Sequence, residues 1–183
     1  KVEDWKYTSL WALSQEAFTH EAAASQLDEM RCSQVALLET AYRLVIVDGQ
    51  FSAELSHLDG LDTGLTVEPL SQAFSKTKSV LGQQVSLEKA GLNALNTMLM
   101  TEGAYIQVTA NTNVSKPVEL LVINTGETDK LATHLRHVID IAEDAELTLV
   151  EHYVSLADNS VGLTDVISEV NLAEKAHLSH FKL

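Results

Sequence analysis

The residues of this chain that come nearest to metal chemistry are two spaced pairs of histidines, His134-x-x-His137 and His177-x-x-His180. Imidazole nitrogen is a common ligand for first-row metal ions, and two rings at short spacing can chelate one ion when both face the same way. The segments that carry these pairs alternate apolar and polar residues as strands do, and residues three apart on a strand point to opposite faces. Neither pair can therefore hold one ion unless a bulge intervenes. Cys32 has His20, Asp28 and Glu29 near it in sequence. A single thiol cannot hold an iron–sulfur cluster, which takes four Cys ligands or their substitutes, and a spare buried cysteine is the simpler reading. Serine, histidine and aspartate all occur, yet there is no Gly-x-Ser-x-Gly elbow, no glycine-rich phosphate loop and no His-Glu-x-x-His zinc pattern. Trp5, Tyr7 and Trp11 could form a binding patch, although aromatics near a terminus more often anchor it to the body of a domain. The expectation is that no residue of this chain is catalytic, binds a cofactor or ligates a metal.

Two kinds of element must position these residues. Residues 1 to about 40 read as helical or irregular, with Leu10, Leu13 and Ala17, then Val35 and Leu38, at helical intervals. Arg43-Leu-Val-Ile-Val47 is a β-branched run followed by Asp48-Gly49, a dipeptide that supplies the positive φ angles of a tight turn, so a hairpin is predicted near 43–52. Leu70, Phe74, Thr77 and Leu81 recur at helical spacing, with Pro69 and Gly82 as start and stop signals. A second helix is predicted from Ser86, as N-cap, through Leu87, Ala90, Ala94, Leu95, Met98 and Leu99. Beyond it the apolar period changes from helical to alternating. Ala104, Ile106 and Val108 alternate with Tyr105 and Gln107, the run 118–123 is too apolar to be solvated on both sides, and further strands follow at 134–141, 145–154, 165–172 and 176–183.

A repeated phrase runs through this second half. Glu143-Asp-Ala-Glu-Leu147 is preceded by Asp140-Ile-Ala, and Glu174-Lys-Ala-His-Leu178 by Asn171-Leu-Ala, so the two share a frame displaced by 31 positions. Glu102-Gly-Ala-Tyr-Ile106 is a weaker third copy, 41 positions before Glu143. The phrase also occurs at Glu88-Lys-Ala-Gly-Leu92, in a helical context, so the strands around it carry the argument. Self-similarity at such intervals suits stacked strands that bury their inward side chains only against the next turn. A β-sandwich with a chance match would show the same alternation. The 31-residue frame sets His177 beside Glu146, a surface imidazole–carboxylate pair. It sets His180 beside Leu149, which makes His180 either a core histidine or the mark of a slipped register. The fold expected is mainly β with a helical N-terminal part: the first turns of a right-handed parallel β-helix over 101–183, cut short at the C-terminus, preceded by a helical and hairpin capping region over 1–100.

Charge narrows the partners. Twelve Lys and Arg against 26 Asp and Glu leave a formal net charge of −14, which opposes both nucleic acid and anionic membrane surfaces, since each is held by clustered cations. No apolar run approaches the ~20 residues of a membrane span. One cysteine cannot close an intrachain disulfide, and the N-terminal residues contain no apolar signal region, which suggests a reducing, cytoplasmic location. The chain does not begin with Met, so residues before Lys1 are expected. Asn113-Val114-Ser115 fits a glycosylation acceptor only by chance in that setting.

A set of phrases along the chain resembles one family in order and spacing. They are Glu3-Asp-Trp-Lys-Tyr-Thr8, Leu44-Val-Ile-Val-Asp-Gly-Gln-Phe51 with Glu54-Leu-Ser56, Ala94-Leu-Asn-Thr97, Gly103-Ala-Tyr-Ile106, Lys116-Pro-Val-Glu-Leu-Leu121 and Val150-Glu-His-Tyr153. They resemble the SufB/SufD family, scaffold proteins of the SUF system of iron–sulfur cluster assembly, and the Trp-Lys-Tyr-Thr opening favours the SufD branch. The resemblance implies a helical N-terminal region, a right-handed parallel β-helix and a C-terminal helical region that docks the SufC ATPase. Pairing with SufB through the far end of the β-helix is implied too, as is an assembly that receives sulfur and iron to build a cluster. On this reading the chain is a non-enzymatic scaffold, alone or as a homodimer, whose cluster is handled by the assembled complex with a SufB-like scaffold and a SufC-like ATPase. The cysteine and histidine that serve cluster assembly late in the β-helix have no counterpart here, and nothing in these residues would hold the flavin associated with the family's complex. Two rivals remain: a polysaccharide-active parallel β-helix, which needs Asp, Arg or Lys groups on successive turns where only His177 beside Glu146 comes close, and a purely structural solenoid.

Overall fold

The computed structural model describes residues 11–25, 27–85, 91–158 and 160–183. Trp5, Tyr7, the phrase at 3–8 and the predicted N-cap Ser86 lie outside the described residues. Among the described residues nine strands form two sheets, and four short helices lie outside them. One sheet has the order β2(Gln50–Phe51), β1(Tyr42–Val47), β5(Val118–Asn124), β7(Glu146–Ser155), β9(His177–Lys182). The other runs β3(Leu65–Pro69), β4(Glu102–Val108), β6(Leu131–Ile141), β8(Gly162–Leu172). From β4 onward the chain alternates between the sheets, and each strand pairs in parallel with the strand two places on.

The expectation of a right-handed parallel β-helix is overturned. The fold is mixed α/β: two mixed sheets of mostly parallel strands, each opening on an antiparallel pair, β1 with β2 and β3 with β4. Residues 42–69 supply three of the strands, and β3 was not expected at all. Its Leu-Thr-Val-Glu-Pro stretch is short and abuts a helix, so its burial pattern becomes visible only once β4 is beside it. Alternation reports which side chains point inward but not which strand lies next to which.

The repeat has a definite structural meaning. Leu131 pairs with Gly162, Val118 with Leu149 and Glu146 with His177, a displacement of 31 residues each time. The Glu-x-Ala part of the phrase is the corner where the chain leaves the four-stranded sheet for the five-stranded one. Asp144 and Lys175 take positive φ there (53° and 58°), and Ala145 and Ala176 each donate a backbone hydrogen bond to the alanine three residues earlier. A side chain larger than Ala145, which is 0% exposed, would not fit inside that corner. The copy at Glu102 is different: Glu102 lies in a strand and pairs with Leu135, out of the 31-residue frame.

One apolar layer joins the sheets. Tyr42, Leu44, Ile46, Val118, Leu120, Leu147 and Leu149 of the larger sheet face Leu65, Val67, Ala104, Ile106, Leu135, Ile139 and Ile141 of the smaller. Each fully buried aliphatic side chain contributes about 1.5–3 kcal/mol. The outer face of the larger sheet is covered by α2(Glu29–Val35), whose Cys32 packs with Val45, Val47, Leu121 and Ile123. Asp28 caps this helix by accepting from the Arg31 N–H at 2.8 Å. The outer face of the smaller sheet receives α3(Leu70–Thr77) and α4(Gly91–Leu99), while α1(Trp11–Ser14) leads into the segment that bridges to β6 at Thr19. Pro69 has no side chain to cap α3, and the buried carboxylate of Glu102 does so instead, accepting from the Ser71 N–H (3.2 Å) and Oγ (2.7 Å).

Asp48 (φ 49°) and Gly49 (φ 82°) make the tight turn between β1 and β2. Gly103 is required for a different reason. A Cβ there would sit 1.8 Å from the Arg136 carbonyl oxygen on the paired strand. Gly103→Ala should therefore push β4 from β6 and lower the unfolding free energy by about 3 kcal/mol, measured by urea denaturation. Gly91→Ala, in open space, should stay within about 1 kcal/mol of the parent.

Candidate functional site

The interior layer changes character along β7. After Leu147 and Leu149 the inward positions are Glu151 and Tyr153, and the strands around them contribute His137 from β6, Ser168 from β8, and His180 and Lys182 from β9. Glu151 is fully buried. It accepts from Tyr153 Oη (2.6 Å), Ser168 Oγ (2.7 Å) and His180 Nε2 (3.0 Å), and its second oxygen lies 3.2 Å from Lys182 Nζ. The Lys182 ammonium also stands 5.0 Å from the centre of the Tyr153 ring. Burial works to raise the Glu151 pKa, but the facing His137, the hydrogen bonds from Tyr153 and Ser168 and the Lys182 charge outweigh it and bring it down to about 2.

His137 is buried and neutral. Burial lowers its pKa to about 4, against the opposing pull of Glu151. The hydrogen bonding agrees, because Nδ1 accepts from the Ala104 N–H at 3.1 Å and so carries no proton, while Nε2 stands 3.5 Å from Tyr153 Oη. Tyr153 passes its own proton toward Glu151, and burial together with that carboxylate raises its pKa. The group holds one negative charge among fixed donors. Ser168 donates to the carboxylate and not to an imidazole, so it is not an activated nucleophile of the Ser–His kind.

Two further buried clusters lie on the outer faces. Arg136, 1% exposed, pairs with Glu169 at 2.7 Å and also donates to Asn96 Oδ1 (3.0 Å) and Thr97 Oγ1 (2.7 Å) of α4. Asn96 in turn donates to the backbone carbonyls of Leu135 and Asp165, and Glu169 accepts from the Gly82 and Gln84 N–H groups. On the larger sheet, Glu119 takes Arg43 Nε at 2.7 Å and the Leu37 N–H at 3.0 Å, while Arg43 also donates to the Leu38 carbonyl. His152 Nδ1 lies 3.8 Å from Glu119 and is buried without a hydrogen bond among the described residues; burial lowers its pKa.

The histidine pairs fall as strand geometry requires. His134 faces outward and bonds Asp165 at 3.0 Å, while His137 faces the core. His177 lies exposed beside Glu146, and His180 lies beside Leu149 with no slip of register, its ring turned to Glu151. Cys32 is buried, and burial raises its pKa above the usual thiol range despite nearby Arg43. Trp11 is 70% exposed. Among the described residues no three His, Cys, Asp or Glu side chains converge as a metal site, and no helix is long and apolar enough to cross a membrane. Glu151, Arg136, Glu119 and Glu169 were not singled out by their types. Their signal was position, a charge in phase with a buried face, as with Glu151 two residues after Leu149.

Residues 1–120 match the SufBD protein N-terminal region. The chain is 30% identical over 185 residues to the iron-sulfur cluster assembly protein SufD of Escherichia coli strain K12, an overlap of 100% of this chain and 41% of that protein. It is 25% identical over 192 residues to an iron-sulfur cluster assembly SufBD family protein of Synechocystis sp. strain PCC 6803, covering 98% of this chain and 42% of the relative. It is also 29% identical over 97 residues to SufD of Bacillus subtilis strain 168, covering 52% and 22%. The chain belongs to the SufBD family, and it spans about two fifths of the length of the first two curated relatives.

The interior cluster makes stability depend on pH. His137 and Glu151 both bind protons less readily folded than unfolded, so acid favours the unfolded chain. The contribution of His137 is complete above pH 6.5 and drains as pH falls toward about 4; that of Glu151 is complete above 4.5 and drains toward about 2. Stability should fall by about 3 kcal/mol between pH 7 and pH 4. His137→Gln, whose amide oxygen can still accept from Ala104, should flatten that part of the profile in urea titrations at successive pH values.

Proposed function

We propose that this chain serves within a non-catalytic scaffold subunit of an iron–sulfur cluster assembly complex. The observation that carries the reading is similarity along the whole chain, at 30% identity, to a protein named for iron–sulfur cluster assembly. Membership of the SufBD family supports it. So does the engagement of the buried polar groups with one another, as suits a body that positions partners more than one that turns over a substrate. The partners proposed are a SufB-like scaffold and a SufC-like ATPase, in the cytoplasm. The cluster is cargo of the complex.

The test uses the full reading frame. Co-expressed with SufB-type and SufC-type proteins of the same organism, it should yield one complex by affinity capture and size exclusion. In cells deleted for their SufD-type gene it should restore the activity of an iron–sulfur enzyme. Soluble protein that associates with neither partner and restores no activity would refute the proposal.

A further inference from the structure

The outward-facing histidine of β6 has surroundings that its role in the sheet does not explain. His134 is 4% exposed, and its Nδ1 lies 3.0 Å from Oδ2 of Asp165, the paired residue on β8. An imidazole held in this way donates its Nδ1–H to the carboxylate and leaves Nε2 as a free lone pair, the arrangement found behind metal-bound histidines. Nε2 of His134 makes no hydrogen bond among the described residues.

A second imidazole stands opposite. His20 follows Thr19, which is tied to β6 by hydrogen bonds from Thr19 N–H to the Lys130 carbonyl (3.0 Å) and from Ala132 N–H to the Thr19 carbonyl (2.8 Å). The backbone beside His20 is thereby fixed against the strand that carries His134. The two ring centroids are 5.5 Å apart with planes inclined by 37°. Both rings line a cavity of about 370 Å³ walled by Leu13, Phe18, Leu95, Leu99 and Leu163. Two imidazoles bound end-on to one tetrahedral ion, at ~2.0–2.1 Å per bond, have centroids roughly 5–5.5 Å apart. The observed separation falls in that range.

We propose that His20 and His134 form a two-imidazole site for a divalent first-row metal ion, with Asp165 as the carboxylate that orients His134. No third His, Cys, Asp or Glu joins them among the described residues, so water or a small donor molecule completes the coordination, and the cavity has room for either. Neutral nitrogen ligands favour Zn²⁺, Ni²⁺ or Cu²⁺ over Mg²⁺ and Ca²⁺, which prefer oxygen. The Asp165 charge offsets part of the cost of holding a dication beside apolar walls. The site stands on its own geometry and does not rest on the assembly role.

The probe is Zn²⁺ titrated into metal-free, full-length protein against a chelating indicator, with Co²⁺ as a spectroscopic substitute. Binding should be saturable and should weaken about tenfold or more in His20→Gln and in His134→Gln, with a similar loss in Asp165→Asn. The intense visible absorption of tetrahedral Co²⁺ should vanish in the two histidine variants, whereas His177→Gln should leave both readouts unchanged. His20 is exposed, so His20→Gln keeps the test decisive even if His134→Gln fails to fold. Zn²⁺ affinity and Co²⁺ absorption undiminished in His20→Gln, or no saturable binding by the parent protein, would overturn the site.

Discussion

A 31-residue register between parallel strands sets which side chains meet in this structure. A strand buried on both faces must satisfy each polar side chain from the strands beside it or from an element packed on top. His134 finds Asp165 and Asp140 finds Asn171, each 31 residues away in the adjacent strand. A slip by one position would invert the side chains of the slipped strand, turning His137 or Glu151 outward and His134 toward the core. The corners at Asp144 and Lys175 hold the frame by turning the chain the same way after the same number of residues.

Buried carboxylates then attach what lies outside the sheets. Glu102 caps α3, Glu169 gathers the backbone N–H groups at Gly82 and Gln84, and Glu119 takes that of Leu37. In each case a strand residue satisfies backbone donors that a turn or helix end leaves open. Arg136 and Arg43 neutralise two of these charges inside the protein. Removing one member of such a pair leaves the other buried and unpaired, which is more damaging than replacing both. The acidic composition of the chain thus includes several carboxylates that organise the interior and are not available to partners.

The three buried clusters differ in kind. Those at Arg136 and Glu119 join a sheet to its covering elements, whereas the one at Glu151 lies between the sheets and binds β9 to β6, β7 and β8. The His20–His134 pair has a different character again, because both rings line a cavity and His134 Nε2 makes no hydrogen bond among the described residues. Satisfied groups hold a fold together, and an unsatisfied lone pair in a shaped cavity invites a ligand.

Much of the strand content was legible in the sequence, because the alternation of Ala104, Ile106 and Val108 and the repeated corner phrase are local patterns that side-chain geometry imposes. The same local rule placed His134 and His137 on opposite faces and put His177 beside Glu146. The assignment of strands to two mixed sheets was not legible, and β3 escaped notice, because pairing partners are chosen by contacts tens of residues apart. The phase of Glu151, Arg136 and Glu169 along their strands pointed to buried faces, but the groups that meet them there were not legible, since a charge enters an interior only when its counterparts arrive with it. His20 and His134 are 114 positions apart and share no spacing that a motif could express. What the sequence by itself determined was the face each strand residue takes; the tertiary structure alone decided which of those residues meet, because burial and pairing energies exist only once distant strands lie side by side.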